Sequence, residues 1–230
     1  MLREIDLSEI SDGKLYTAND LVKADCHDCE GCSACCRGMA SIVLDPYDVW
    51  QLCMGLGKTF EGLMEEHIEL QVVDGVILPK LKMAGEEESC TFLDENGRCS
   101  IHLFRPGICR LFPLGRYYED DGFRYFLQVN ECSKKDQSKI KVKKWLGIPN
   151  LKSYEKYIRE WHQFLQTCEE AMKTLDDENQ RIFQLYILRT FYQTPYQLCG
   201  REGAEKEDVY LRFYQEFSMR MKKLKEQLGL

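Results

Sequence analysis

Five cysteines fall within the eleven residues Cys26-His27-Asp28-Cys29-Glu30-Gly31-Cys32-Ser33-Ala34-Cys35-Cys36, and this run constrains the fold more than any other stretch. It has almost no apolar side chains, so burial alone cannot order it, and a bound metal is the expected source of that order. Thiolates are soft donors, and a cluster of them selects zinc or iron–sulfur chemistry over magnesium or calcium. A C-x-x-C pair turns back on itself so that both sulfurs reach one metal. Repeating the gap wraps the backbone around the site and aims its N–H groups at the sulfurs. The competing reading, a disulfide knot, suits such crowding poorly.

The spacing parses in two ways. Cys26-x2-Cys29-x2-Cys32-x3-Cys36 has the gaps of the bacterial ferredoxin run, with Arg37 where that run has proline. Cys29-x2-Cys32-x2-Cys35-Cys36 contains an adjacent pair, which fits one tetrahedral metal awkwardly and points to a bridge or to two sites.

The chain has 230 residues and a net charge of −7, enough for one large domain or two small ones and a real core. The acidic balance argues against nucleic acid as a partner. Met1 to Asp6 is mixed and charged, with no apolar signal core, and no run approaches the ~20 apolar residues of a membrane span. The expectation is a cytoplasmic protein off the membrane, whose twelve cysteines stay reduced unless metal holds them.

Thr17-Ala18-Asn19-Asp20 reads as a capped start to a short helix ending near Ala24. Ile42-Val43-Leu44 reads as a short strand, and Asp45-Pro46 as the cap and first position of a helix to about Met54. Cys53 on that helix reads as a buried thiol. Gly57-Lys58-Thr59 is no phosphate loop, because Leu52 stands where the motif needs glycine, so Thr59 becomes the cap of another helix. Asp74-Gly75 between apolar pairs marks a hairpin. Residues 84–89 read as a solvated loop.

A second group of cysteines follows. Asn96-Gly97 makes a turn that brings Cys90 and Cys99 together, and Cys109 and Cys132 lie in turn-rich or strand-end positions. Another hairpin is expected at Asp120-Asp121-Gly122. Ser133 to Lys144, with six lysines against one acid, reads as a solvated face or linker. Gly147 to Asn150 is a break. Beyond it, Tyr154, Tyr157, Ile158, Trp161, Phe164, Leu165, Cys168, Ala171, Met172 and Leu175 form an amphipathic stripe. Ile182 to Tyr192 is apolar nearly all round and reads as a central helix ended by Pro195, and a last helix runs from Val209 to Leu228.

The fold class expected is therefore α+β: a small metal-nucleated cysteine-cluster domain with short hairpins over residues 1–146, then a helical extension over 147–230.

The combined pattern resembles the CxxCxxCC cysteine-cluster family, the YkgJ-like group described as zinc- or iron-chelating. The matching residues are Cys29, Cys32, Cys35, Cys36 and Arg37, then Leu44 to Asp48, then Cys90-x-Phe92-Leu93 and Asn96 to Ile101. Arg105-Pro106-x-x-Cys109-Arg110-x-x-Pro113 completes the set. The resemblance covers about residues 26–132 and leaves the helical region aside. It implies eight ligands, Cys29, Cys32, Cys35, Cys36, Cys90, Cys99, Cys109 and Cys132, with Cys26 as an extra upstream candidate that is a spare thiol, an alternate ligand or a thiol packed behind the ligands. His102 stands where the family is expected to carry an aromatic residue. Cys99-x2-His102 has ligand spacing, yet a packed or exposed histidine is the simpler reading. Arg105 and Arg110 are read as supports that offset thiolate charge.

Three functions follow as expectations. The first is a chelator of zinc or an iron–sulfur cluster. The second is an iron–sulfur redox or methyl-transfer enzyme, since flagellin lysine N-methylases resemble the same pattern. The third is a zinc-stapled module whose helical region docks a protein partner.

Overall fold

The computed structural model describes residues 6–25, 33–39, 42–120, 122–129, 131–132, 137–196 and 206–228. It is mixed α+β, 49% helix and 22% strand, with short antiparallel hairpins followed by C-terminal helices. In chain order the elements begin with α1 (Leu7–Ile10), β1 (Leu21–Asp25), α2 (Pro46–Leu56), α3 (Phe60–Glu66), β2 (Ile68–Val73) and β3 (Val76–Leu81). Next come β4 (Met83–Ala84), β5 (Ser89–Cys90), α4 (Gly107–Leu111), β6 (Leu114–Glu119), β7 (Gly122–Leu127) and β8 (Ser138–Lys141). The last are α5 (Val142–Leu146), α6 (Leu151–Met172), α7 (Asp177–Leu188) and α8 (Lys206–Leu228). Every described sheet has two strands: β1 with β8, β2 with β3, β4 with β5 and β6 with β7.

Contacts gather the chain into two compact units. One holds Val43–Lys80 with the helices from Ile148 onward, and the other holds the residues before Val43 with Leu81–Gly147. The sequence break at Gly147 is thus also a contact boundary, while residues 43–80 group with the helices.

The unit carrying the cysteines departs from the sequence reading at its first element. Thr17–Asp20 is a turn, not a helix start: the Asp20 carboxylate accepts the Thr17 N–H at 2.7 Å and folds the chain back. Leu21 to Ala24 then alternates outward and inward, with Val22 and Ala24 buried, and pairs antiparallel with β8. The period of two overrides the local cap signal. The partner strand lies in the lysine-rich stretch read as a linker. Lys139 and Lys141 face outward, and Val142 and Leu146 on α5 are buried. A lysine-rich edge keeps such a two-stranded ribbon from recruiting further strands. The β6–β7 hairpin forms where expected, with Gly115 opposite Phe126. A Cβ on Gly115 would run into the Phe126 ring, so this position needs glycine for space rather than for conformation.

In the other unit the local signals hold. Asp45 caps α2 with a full capping box: its side chain accepts the Asp48 N–H at 2.9 Å, and Asp48 accepts the Asp45 N–H at 3.3 Å. Gly57 ends α2 in the left-handed region at φ +64°, and Thr59 caps α3. Ile42 to Leu44 is an extended segment rather than a named strand; Val43 bridges Lys80, and the Leu44 N–H donates to Pro79 O at 2.8 Å. The stripe on α6 buries Tyr154, Tyr157, Ile158, Trp161, Phe164, Cys168 and Met172. Facing rings pack closely, among them Tyr157–Phe217 at 4.6 Å, Trp50–Phe213 at 4.9 Å and Trp161–Phe191 at 5.2 Å between centroids. The Tyr157 hydroxyl donates to Asp45 at 3.0 Å and accepts the Tyr47 N–H at 2.9 Å, so one phenol joins α6 to the start of α2.

The segment 182–192 corrects the expectation of an all-round buried helix. Ile182 and Leu185 are more than half and half exposed, at 58% and 50%, while Phe183, Ile187 and Leu188 are buried. The helix is one-faced, and after Leu188 it widens into a π-turn, Arg189–Gln193, that turns Phe191 and Tyr192 inward. The Arg220 guanidinium closes that turn, donating to the carbonyls of Thr190, Thr194 and Pro195, each at 2.7 Å.

Two substitutions test these joints. Asp45→Ala removes both the cap and the Tyr157 acceptor and should destabilise by about 2–3 kcal/mol. Gly115→Ala should cost about 1–3 kcal/mol through the displaced Phe126 ring. Urea-denaturation midpoints at constant m-value measure both, and unchanged midpoints would contradict the packing described.

Candidate metal centre

Cys90 ends β5, and the chain after it folds back through a tight loop. Asp94 Oδ1 accepts the N–H groups of Asn96 at 2.9 Å and Arg98 at 2.8 Å, and Gly97 takes φ +70°. The Asp94 side chain thus does the work of a backbone turn, which the Asn96-Gly97 pair completes. Leu93 bridges Cys99, and the Ser100 N–H donates to Phe92 O at 2.9 Å. The expected turn is present and sets the Cys90 and Cys99 thiols within electrostatic reach of each other.

The first cysteine group meets this hairpin through its C-terminal end. Ser33, at φ +50°, leads into a 3-10 turn over Ala34–Cys36. Arg37 then forms an antiparallel bridge with Ser89, and the Gly38 N–H donates to Glu88 O at 3.0 Å. The Arg37 side chain donates to Ser33 Oγ at 3.1 Å and to Ser89 Oγ at 3.4 Å, and it pairs with the Glu87 carboxylate. Cys35 and Cys36 are carried into the neighbourhood of Cys90 and Cys99.

Cys35 and Cys36 share a hydrogen bond, with their Sγ atoms 3.9 Å apart. That bond, with the nearby Arg105 guanidinium, holds Cys35 below the ordinary thiol range against the cost of burial. Its partner Cys36 is pushed up by the same hydrogen bond, by burial, and by Cys35, Cys90 and Cys99. Burial raises Cys90 and Cys99, and in each case a backbone N–H opposes it: Phe92 donates to the Cys90 sulfur, and Ile101 to the Cys99 sulfur. Amide donors aimed at sulfur favour the thiolate over the thiol.

The remaining candidates are placed less tightly. Cys109 sits on α4 and Cys132 beyond β7, both half-buried. His102 is exposed on a 3-10 turn. Cys26, Cys29 and Cys32, with His27, lie outside the described residues. The Arg110 guanidinium donates to Arg105 O at 3.1 Å and to Leu103 O, bracing the loop between Cys99 and Cys109. Cys53 and Cys168 belong to the other unit, where burial raises them to about 11 and about 12.

Among the described residues, no three Cys, His, Asp or Glu side chains form a ready-made metal cage. The donors nevertheless suit a thiophilic metal. Four sulfurs in a tetrahedron at ~2.3 Å from zinc lie ~3.8 Å apart, close to the 3.9 Å between Cys35 and Cys36. The N–H···S bonds from Phe92 and Ile101 are the second requirement of such a site. Cys35, Cys36, Cys90 and Cys99 are the described residues that would hold a metal, which would supply the positive charge that four thiolates lack. The sequence had flagged these cysteines but not Ser33, Glu87 and Ser89, whose contacts with Arg37 align the two groups.

The chain is a member of the CxxCxxCC family, described as a "putative zinc- or iron-chelating domain", whose pattern matches residues 28–146, just over half of its length. No curated protein and no solved structure matches it. No described helix is long and apolar enough to cross a membrane.

The thiolate is the reactive form of cysteine. In metal-free protein at pH 7, iodoacetamide should therefore label Cys35 well before Cys53 or Cys168, and Cys53 should follow only as the pH approaches about 11. Peptide mass spectrometry of a time course reads the order, and earlier labelling of Cys53 would contradict the site's electrostatics.

Proposed function

We propose that this chain chelates zinc or an iron–sulfur cluster through thiolates from two separated groups. Cys29, Cys32, Cys35 and Cys36 form one group, Cys90, Cys99, Cys109 and Cys132 the other, and Cys26 is a spare thiol, an alternate ligand or a thiol packed behind the ligands. One observation carries the reading: Cys35 and Cys36 lie in the same electrostatic neighbourhood as Cys90 and Cys99, although more than fifty residues separate the groups in sequence. A closed zinc site and a four-iron cluster each take four sulfurs, so eight suffice for two sites. Closing the intervening loop costs a few kcal/mol, and structural metal binding contributes on the order of 10–16 kcal/mol. The gain from metal binding therefore exceeds the cost of closing the loop. Thiols in this number persist in a reducing compartment, and we place the protein in the cytoplasm.

Metal analysis and an absorption spectrum of anaerobically purified protein test the proposal. A brown protein with iron and sulfide assigns the cluster, and a colourless one with stoichiometric zinc assigns zinc. Cys99→Ser and Cys109→Ser should each lose metal, while Cys168→Ala should keep it and lose about 1–2 kcal/mol of stability through a packing defect. Full metal retention in both serine variants would overturn the two-group site.

A further inference from the structure

We infer that Arg37 is the positioning residue of the cysteine site: it latches Cys35 and Cys36 onto the strand end that carries Cys90, through contacts made by the chain alone. The consequence for affinity rests on the chelation proposed above; the latch itself is a property of the chain. Both the backbone and the side chain of Arg37 take part. Its backbone bridges Ser89, and its neighbour Gly38 donates to Glu88 O at 3.0 Å. Its guanidinium reaches Ser33 Oγ at 3.1 Å, at the start of the cysteine turn, and Ser89 Oγ at 3.4 Å, beside Cys90. The Glu87 carboxylate holds the same group from the hairpin side.

Energetically the latch is a device of geometry. Arg37 and Glu87 are 41% and 72% exposed, and an ion pair so open to water adds little stability of its own. A planar guanidinium serves three oxygens at fixed angles, which an ammonium group on a flexible stem cannot do. With the two thiol groups already apposed, the metal need not bear the entropy of closing the loop between them. Pre-organised ligands bind more tightly for that reason alone, with no change in the number of bonds formed.

The test uses the full chain, reduced and metal-free, titrated with zinc alone against a competing chelator. Arg37→Ala should take up as many zinc ions per chain as the parent, with affinity about tenfold weaker. Arg37→Lys should recover little of that loss, and Ser89→Ala, which removes one acceptor and leaves the fold's core untouched, should show a smaller loss of the same sign. Amide hydrogen exchange on the metal-free parent should show Gly38 protected, and Arg37→Ala should abolish that protection. Arg124→Ala, which breaks an ion pair with Glu119 on the β6–β7 hairpin, should change neither reading. An unprotected Gly38 in the metal-free parent, or unchanged zinc affinity in Arg37→Ala, overturns the latch. A parent chain that takes up neither zinc nor iron overturns the chelation reading instead, and Gly38 protection still decides the latch.

Discussion

Crowding ionisable sulfurs away from water is the physical problem around which the cysteine unit is built. Burial disfavours the thiolate at Cys36, Cys90 and Cys99, and each ionised sulfur raises the cost of ionising its neighbours. The fold opposes this with backbone amides at Phe92 and Ile101 and with the Arg105 guanidinium beside Cys35 and Cys99. These groups offset part of the cost of ionising the sulfurs and leave their combined charge uncancelled. A multivalent cation cancels it, and at the same time turns mutual repulsion among ligands into cohesion.

The helical unit solves its own folding by other means, and its cysteines show the contrast. Cys168 lies on the buried face of α6 among Phe164 and Met172, and burial alone raises its thiol to about 12. It behaves as a small apolar side chain. Cohesion here comes from interlocked rings and from a few polar joints placed where backbone groups need partners. The Tyr192 hydroxyl reaches Leu44 O at 3.0 Å, and the Gln184 side chain reaches Gly75 O at 2.9 Å, so each hairpin or cap is tied to a helix by one directed bond. The same residue type is thus a ligand candidate in one unit and core filler in the other, and amides aimed at the sulfur distinguish the two.

Much of this was legible in the sequence wherever the deciding force is local. Asp45-Pro46, Thr59, Asp74-Gly75 and Asn96-Gly97 each settle a cap or a turn within a few residues, and the α6 stripe sets its own buried face. The misread elements have distant causes. Leu21–Asp25 is a strand because Ser138–Lys141 lies beside it, and that partner is itself hidden in a lysine-rich stretch with no apolar run. Ile182 and Leu185 look buried by composition, yet they lie on the outer face of a one-faced helix whose buried side is Phe183, Ile187 and Leu188. At the site, the sulfurs announce themselves by spacing. The Arg37 contacts do not, because they join residues 52 apart and rest on serines and a glutamate of no local distinction.

Three arginines flank the sulfurs, and their surroundings assign them different work. The Arg37 guanidinium is committed to Ser33, Ser89 and Glu87, and that of Arg110 to the carbonyls of Leu103 and Arg105. Both therefore act on the backbone that carries the cysteines. Arg105 differs: its Nε is buried with no hydrogen-bond partner among the described residues, while its charge is felt at Cys35 and Cys99. That charge lowers the energy of thiolates on both cysteine groups at once, since Cys35 belongs to the first and Cys99 to the second. Braces alone would align the sulfurs as thiols; a guanidinium whose charge reaches both groups biases them towards the anions that a metal requires.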